Sequence, residues 1–76
     1  MLDMEQKVLE IINKIRVAKN LEPVAELKTT DRLREDLNLT SFDLAELTVN
    51  IEEEYDVDIF EDGLVSTIGE IYAKLS

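Results

Sequence analysis

Ser41 stands in the run Leu37-Asn38-Leu39-Thr40-Ser41-Phe42-Asp43-Leu44-Ala45-Glu46-Leu47, where a hydroxyl heads an acidic stretch with recurrent apolar residues. A serine hydroxyl is a weak nucleophile, and it accepts a transferred group only when a base takes its proton. This chain has no histidine to act as that base and no cysteine to replace the hydroxyl. The same absences exclude a disulfide framework and a Cys/His zinc site. Few routes to autonomous catalysis remain, so no catalytic residue and no metal site are expected, and Ser41 is the best candidate for a covalent attachment point. A serine near a helix start is also an ordinary N-terminal residue. Ser41 acquires meaning only from its surroundings.

The apolar spacing predicts what positions it. Leu2, Met4, Val8, Leu9, Ile12 and Ile15 recur at helical intervals with Glu5, Lys7, Glu10 and Lys14 between them, which predicts a first helix over residues 3–18. Asn20 and Pro23 end that pattern. Leu27, Leu33, Leu37 and Leu39 then recur too irregularly for a long helix, so an ordered loop of about twenty residues pinned by leucines is expected, with a short helical turn around Thr30 to Glu35. A second helix is predicted from Ser41 to Tyr55. Thr40 is its N-cap, and Asp43 gives a short-armed capping box that also suits the helix dipole. Leu44, Leu47, Thr48, Ile51 and Tyr55 share the core face, whereas Phe42, Ala45, Glu46, Val49, Glu52 and Glu53 project outward. Ile59-Phe60-Glu61-Asp62-Gly63-Leu64 suggests a helix of one or two turns. A final helix starts at Ser66 or Thr67, where Thr67-Ile68-Gly69-Glu70 has capping-box spacing and Ile68, Ile71, Tyr72 and Leu75 form a stripe. The expected fold class is all-α: a single domain over 1–76, a small bundle of three main helices plus one short helix, with a long loop between the first two.

Size and charge narrow the function. A chain of 76 residues buries only about 60% of its unfolded surface, and typical ligand pockets of roughly 300 to 1,000 Å³ do not fit easily inside so small a core. The net charge is −10, and it is uneven: residues 1–39 hold eight acids and seven bases, whereas residues 40–76 hold ten acids and only Lys74. Such a field repels nucleic acid and anionic lipid and attracts proteins with basic patches. Neither nucleic-acid binding nor membrane insertion is expected, and the second helix mixes apolar and acidic residues as a reversible docking face does. The start Met1-Leu2-Asp3-Met4-Glu5-Gln6 lacks a secretion-signal pattern, so a cytoplasmic monomer is expected. An EF-hand begun at Asp58 aligns Gly63 but puts Phe60 and Gly69 where ligands are needed.

Ser41-Phe42-Asp43-Leu44-Ala45-Glu46-Leu47 followed by Ile51-Glu52-Glu53-Glu54-Tyr55 resembles the acyl carrier protein family, in which Asp-Ser-Leu opens the second helix and acidic segments follow. Leu33 and Leu37 fall where that family has apolar loop anchors, Asp58-Ile59 where its third helix begins, and Thr67-Ile68 where its fourth begins. The resemblance covers essentially the whole chain. It implies that a phosphopantetheinyl transferase esterifies Ser41 with phosphopantetheine from coenzyme A, and that the arm's thiol carries acyl intermediates as thioesters in fatty-acid, polyketide or related lipid biosynthesis. It also implies that acyl-loading and acyl-processing enzymes dock through basic patches on Glu46, Val49, Glu52 and Glu53, with Thr40, Phe42 and Asp43 beside the arm. Leu47, Ile51, Ile59, Leu64 and Ile71 become candidates to line a space for the acyl chain, beside their ordinary role as core.

Thr40 stands where the family usually has aspartate and Phe42 where it has leucine. The region after Ile59 is about two residues shorter than in many relatives. These departures suggest a specialised carrier and leave open which transferase accepts it. An aminoacyl or peptidyl carrier, or an unmodified acidic helical adaptor that uses the same face, are the competing readings.

Overall fold

The computed structural model describes residues 3–76. Leu2, expected in the first apolar stripe, lies outside the described residues. There are three helices among the described residues: α1 (Met4–Ala18), α2 (Ser41–Tyr55) and α3 (Ile68–Leu75). Among the described residues the only extended pairing is an isolated antiparallel bridge between Arg32 and Thr67. The fold is all-helical, as the spacing predicts.

Each helix starts where its capping chemistry directs. Asp3 accepts from the Gln6 amide at 2.8 Å to open α1. Thr40 and Asp43 form a complete capping box for α2. Thr67 caps α3 by accepting from the Glu70 amide, but the Glu70 carboxylate reaches the amide of Ser66, one residue before the position a capping box uses. The first two α3 amides find carbonyls in the first loop: Ile68 donates to Asp31 at 3.0 Å and Gly69 to Thr29 at 2.9 Å. Gly69 suits this close approach, because a Cβ would stand 3.0 Å from the Thr29 carbonyl oxygen and the loop backbone would have to give way.

The end of α1 is equally specified. Asn20 adopts a left-handed φ of 65°, Leu21 donates back to the Arg16 carbonyl and Asn20 to that of Val17. This is a Schellman termination with asparagine in the role glycine usually fills. It explains why the helical pattern stops before Pro23.

One hydrophobic cluster joins all the elements: Val8, Ile12 and Ile15 from α1, Leu33, Leu37 and Leu39 from the loop, Leu44, Leu47 and Ile51 from α2, and Ile59, Val65, Ile68 and Ile71 from the remainder. Leu9 does not join it, and Ile11 packs against it instead. The Cα radius of gyration is 11.3 Å, matching the about 11.4 Å of a compact chain of this length. The long first loop is therefore folded down onto the core.

Two local expectations are revised. The helical turn foreseen around Thr30 to Glu35 lies slightly later, where Asp36 and Leu37 both donate to the Arg32 carbonyl. The short helix foreseen at Ile59–Leu64 is a succession of tight turns. Asp58 Oδ1 captures the Phe60 amide, Glu61 donates to the Asp58 carbonyl, Gly63 donates to that of Phe60, and Gly63 takes a φ of 129°. An aspartate side chain that takes an amide in this way competes with helix formation.

Candidate functional site

Ser41 is the first residue of α2, and its side chain is exposed. The segment leading to it is held from several directions. Leu37 and Leu39 are buried, and the Leu39 amide donates to the Leu33 carbonyl at 3.0 Å. Between them Asn38 takes a left-handed φ of 60°, a conformation asparagine tolerates better than most residues, and this bend lets both leucines enter the core.

Two cations at the C-terminal end of α1, Arg16 in its last turn and Lys19 at its C-cap, complete the support. Arg16 is buried and meets no carboxylate; its guanidinium donates to the carbonyls of Glu22 at 3.0 Å and Leu37 at 2.6 Å. Lys19 donates to the Asn38 carbonyl at 2.7 Å and pairs with the Asp43 carboxylate. Asn13 adds a two-way clasp on Val24, accepting from its amide and donating to its carbonyl. None of these side-chain bonds follows a periodic pattern, and sequence reasoning missed all of them. The only prior sign was the concentration of bases in the first half of the chain.

Asp43 is the most constrained acid of the site. Burial works to raise its pKa, but hydrogen bonds from Lys19 and from the Thr40 amide and hydroxyl, together with the Lys19 charge, outweigh it and hold the group below the ordinary carboxylate range. Its carboxylate therefore faces inward and is neutralised. Thr40 both accepts from the Asp43 amide at 3.3 Å and donates to its carboxylate at 3.0 Å. An aspartate in place of Thr40 could only accept, and it would set two carboxylates against each other. The departure at this position is thus coupled to the way α2 begins.

The outer face of α2 has the expected composition. Phe42 is 87% exposed and Val49 57%, with Ala45, Glu46, Glu52 and Glu53 exposed around them. Spacings of three and four place Phe42, Ala45, Glu46, Val49, Glu52 and Glu53 on one broad side. Glu54 reaches Lys7 at 3.6 Å, while Glu46, Glu52 and Glu53 enter no ion pair among the described residues. The face presents an apolar centre edged by unneutralised carboxylates, with Ser41 at its head. Asp43 stands apart from it.

The candidate acyl-lining residues are not brought together around a space. Leu47, Ile51, Ile59 and Ile71 are fully buried core, and Leu64 is 91% exposed. The small cleft beside the site, about 120 Å³, is lined by Leu33, Arg34, Glu35, Leu44, Phe60, Leu64, Val65 and Ser66. It lies well below the roughly 300 Å³ at which ligand pockets usually begin. Among the described residues no group of three or more acids gathers into a metal-sized cluster, and no helix is long and apolar enough to cross a membrane.

Comparison with known proteins gives one result. A family model described as a phosphopantetheine attachment site matches residues 7–75. Neither a curated protein nor a solved structure matches the chain.

Proposed function

Because the chain belongs to the acyl carrier protein family, whose domains carry phosphopantetheine covalently and are not themselves enzymes, we propose that Ser41 is the residue that bears the arm. The observation that carries this reading is an exposed hydroxyl at the first position of a fifteen-residue helix, on a segment fixed by Leu37, Leu39 and Lys19. The surroundings suit a phosphate ester. The positive end of the α2 dipole favours an anion there by about 0.3 to 1 kcal/mol, and the one acid of the first turn, Asp43, is already neutralised by Lys19.

In the transfer, Ser41 Oγ attacks a phosphate of coenzyme A. An O–P bond forms at Oγ, the pyrophosphate bond breaks, and the adenosine bisphosphate half departs. The Oγ proton passes to a base on the transferase, since this chain offers no histidine. Once attached, the arm supplies a terminal thiol that holds cargo as a thioester. The chain's own contribution is presentation: tethering brings cargo to a docked enzyme at an effective concentration of about the millimolar range.

Partner enzymes dock on Phe42, Glu46, Val49, Glu52 and Glu53, with Thr40 at the edge of the face. Exposed ion pairs are worth about 0 to 1 kcal/mol each. Several of them give fast, salt-sensitive association and ready release, as a shuttle requires. The cargo we favour is acyl, in fatty-acid, polyketide or related lipid biosynthesis, because apolar side chains dominate the cleft beside the site.

Coexpression with several phosphopantetheinyl transferases followed by intact-mass analysis tests the reading. A phosphopantetheine increment on the wild type that disappears in Ser41→Ala is expected. An increment that never appears leaves an unmodified acidic adaptor. Mass analysis of the native protein with cargo attached separates acyl from aminoacyl or peptidyl loads.

A further inference from the structure

Arg34 donates from Nη2 to Ser41 Oγ at 3.0 Å, and both side chains are exposed. The other arginines and the nearest lysine are committed elsewhere. Arg16 serves two carbonyls, Lys19 serves Asp43, and Arg32 lies against Asp36 and Glu35. Arg34 enters no ion pair among the described residues, although the chain holds eighteen acids. Its guanidinium carries five donors in a planar fork suited to phosphate, and here one of them rests on a neutral hydroxyl.

We infer that Arg34 is the positioning residue for the phosphate of the attached arm. The inference rests on Ser41 being the attachment point. Esterification replaces the Oγ proton with a phosphodiester whose two non-bridging oxygens share one negative charge. A fork already within reach of Oγ then exchanges a bond to a neutral acceptor for bonds to an anionic one, with both partners charged and the planar fork able to engage two oxygens.

Arg34 is well placed because its backbone is fixed. Leu33 beside it is buried and donates its amide to the Ser66 carbonyl at 2.9 Å, and the turn closes where Asp36 and Leu37 donate to the Arg32 carbonyl. Arg34 also lines the small cleft with Leu44, Phe60 and Val65. Arg34 thereby holds the root of the arm at the rim of that cleft and limits the directions the arm sweeps.

The test uses the full chain as wild type, Arg34→Gln and Arg34→Lys, each converted to the phosphopantetheine form, checked by intact mass and followed by phosphorus NMR with increasing salt. The wild-type phosphodiester resonance is expected to move as salt screens the pair. The Arg34→Gln resonance is expected at a different position and insensitive to salt, with Arg34→Lys between them. Melting temperatures of the three unmodified proteins are expected to coincide, since Arg34 is exposed and, among the described residues, its side chain hydrogen-bonds to Ser41 alone. A full mass increment with the same resonance and salt response in wild type and Arg34→Gln overturns the role of Arg34 alone. A wild type that never gains the increment overturns the attachment at Ser41 and this role with it.

Discussion

The two connections of the molecule are both irregular, yet they are built in opposite ways. The first, residues 19–40, is long but tightly specified. Arg16, Asn13 and Lys19 bond to its backbone, three leucines enter the core, and its carbonyls cap α3. The second, residues 56–67, is held by Ile59 and Val65, by short-range turns, by the Ser66 carbonyl that accepts from Leu33 and by the Lys74–Asp62 ion pair, and it leaves Leu64 in solvent amid Asp56, Asp58, Glu61 and Asp62. Absence of regular structure is therefore no measure of looseness. Side-chain bonds to loop backbone are concentrated on the side that presents Ser41, and the opposite wall of the cleft has fewer of them.

Removing the deepest support of the first connection should have the largest effect. Arg16→Met leaves the Glu22 and Leu37 carbonyls without their charged donor, and a loss of about 3 kcal/mol is expected in urea unfolding. A loss below about 1 kcal/mol would mean that the leucines alone hold this loop. Asp43→Asn comes next, costing about 1 kcal/mol at neutral pH through the weakened cap and the lost Lys19 pair. The folded-state pKa of Asp43 is depressed, so its stabilisation is fully present above the unfolded value of about 3.9 and is lost as pH falls through the lower folded value. The stability gap between wild type and variant should therefore stay level from pH 7 to about 5 and close in more acid solution. A gap that persists at the lowest pH where both proteins fold would contradict this.

The second connection should respond in the opposite sense. Asp56 caps α2 in the left-handed region at a φ of 58°, and its charge meets the negative end of the helix. Asp56→Gly removes both penalties and should stabilise by about 1 kcal/mol, seen as a higher melting temperature. The smallest effect is expected from salt. Screening the acids from Glu52 to Asp62 should raise the melting temperature modestly, and an unchanged or lower value would show that these carboxylates do not strain the fold.

What was legible in the sequence was local. Thr40 and Asp43 fixed the start of α2 because capping chemistry spans three residues, and the apolar stripes identified the faces that Leu44, Leu47, Ile51, Ile68 and Ile71 bury. Leu33, Leu37 and Leu39 announced an anchored loop. Arg16, Lys19 and Arg34 gave no such signal, since their partners lie between six and twenty-four residues away and two of the three bond mainly to backbone or hydroxyl groups. The stretch Ile59–Leu64 misled because its composition allows a helix, whereas Asp58 takes the amide that would begin one. Asp43 was expected beside the arm and partners, but its carboxylate is turned toward Lys19, which only the tertiary arrangement decides.

The Arg16 anchor also separates two jobs that a crowded small protein might otherwise confuse. A guanidinium gripped by carbonyls does not compete for counter-charges, so the docking of a cationic enzyme would neutralise Glu46, Glu52 and Glu53 without slackening the mooring beneath Leu37. Successive visitors would then find the serine aimed in the same direction, whatever their own electrostatic footprint.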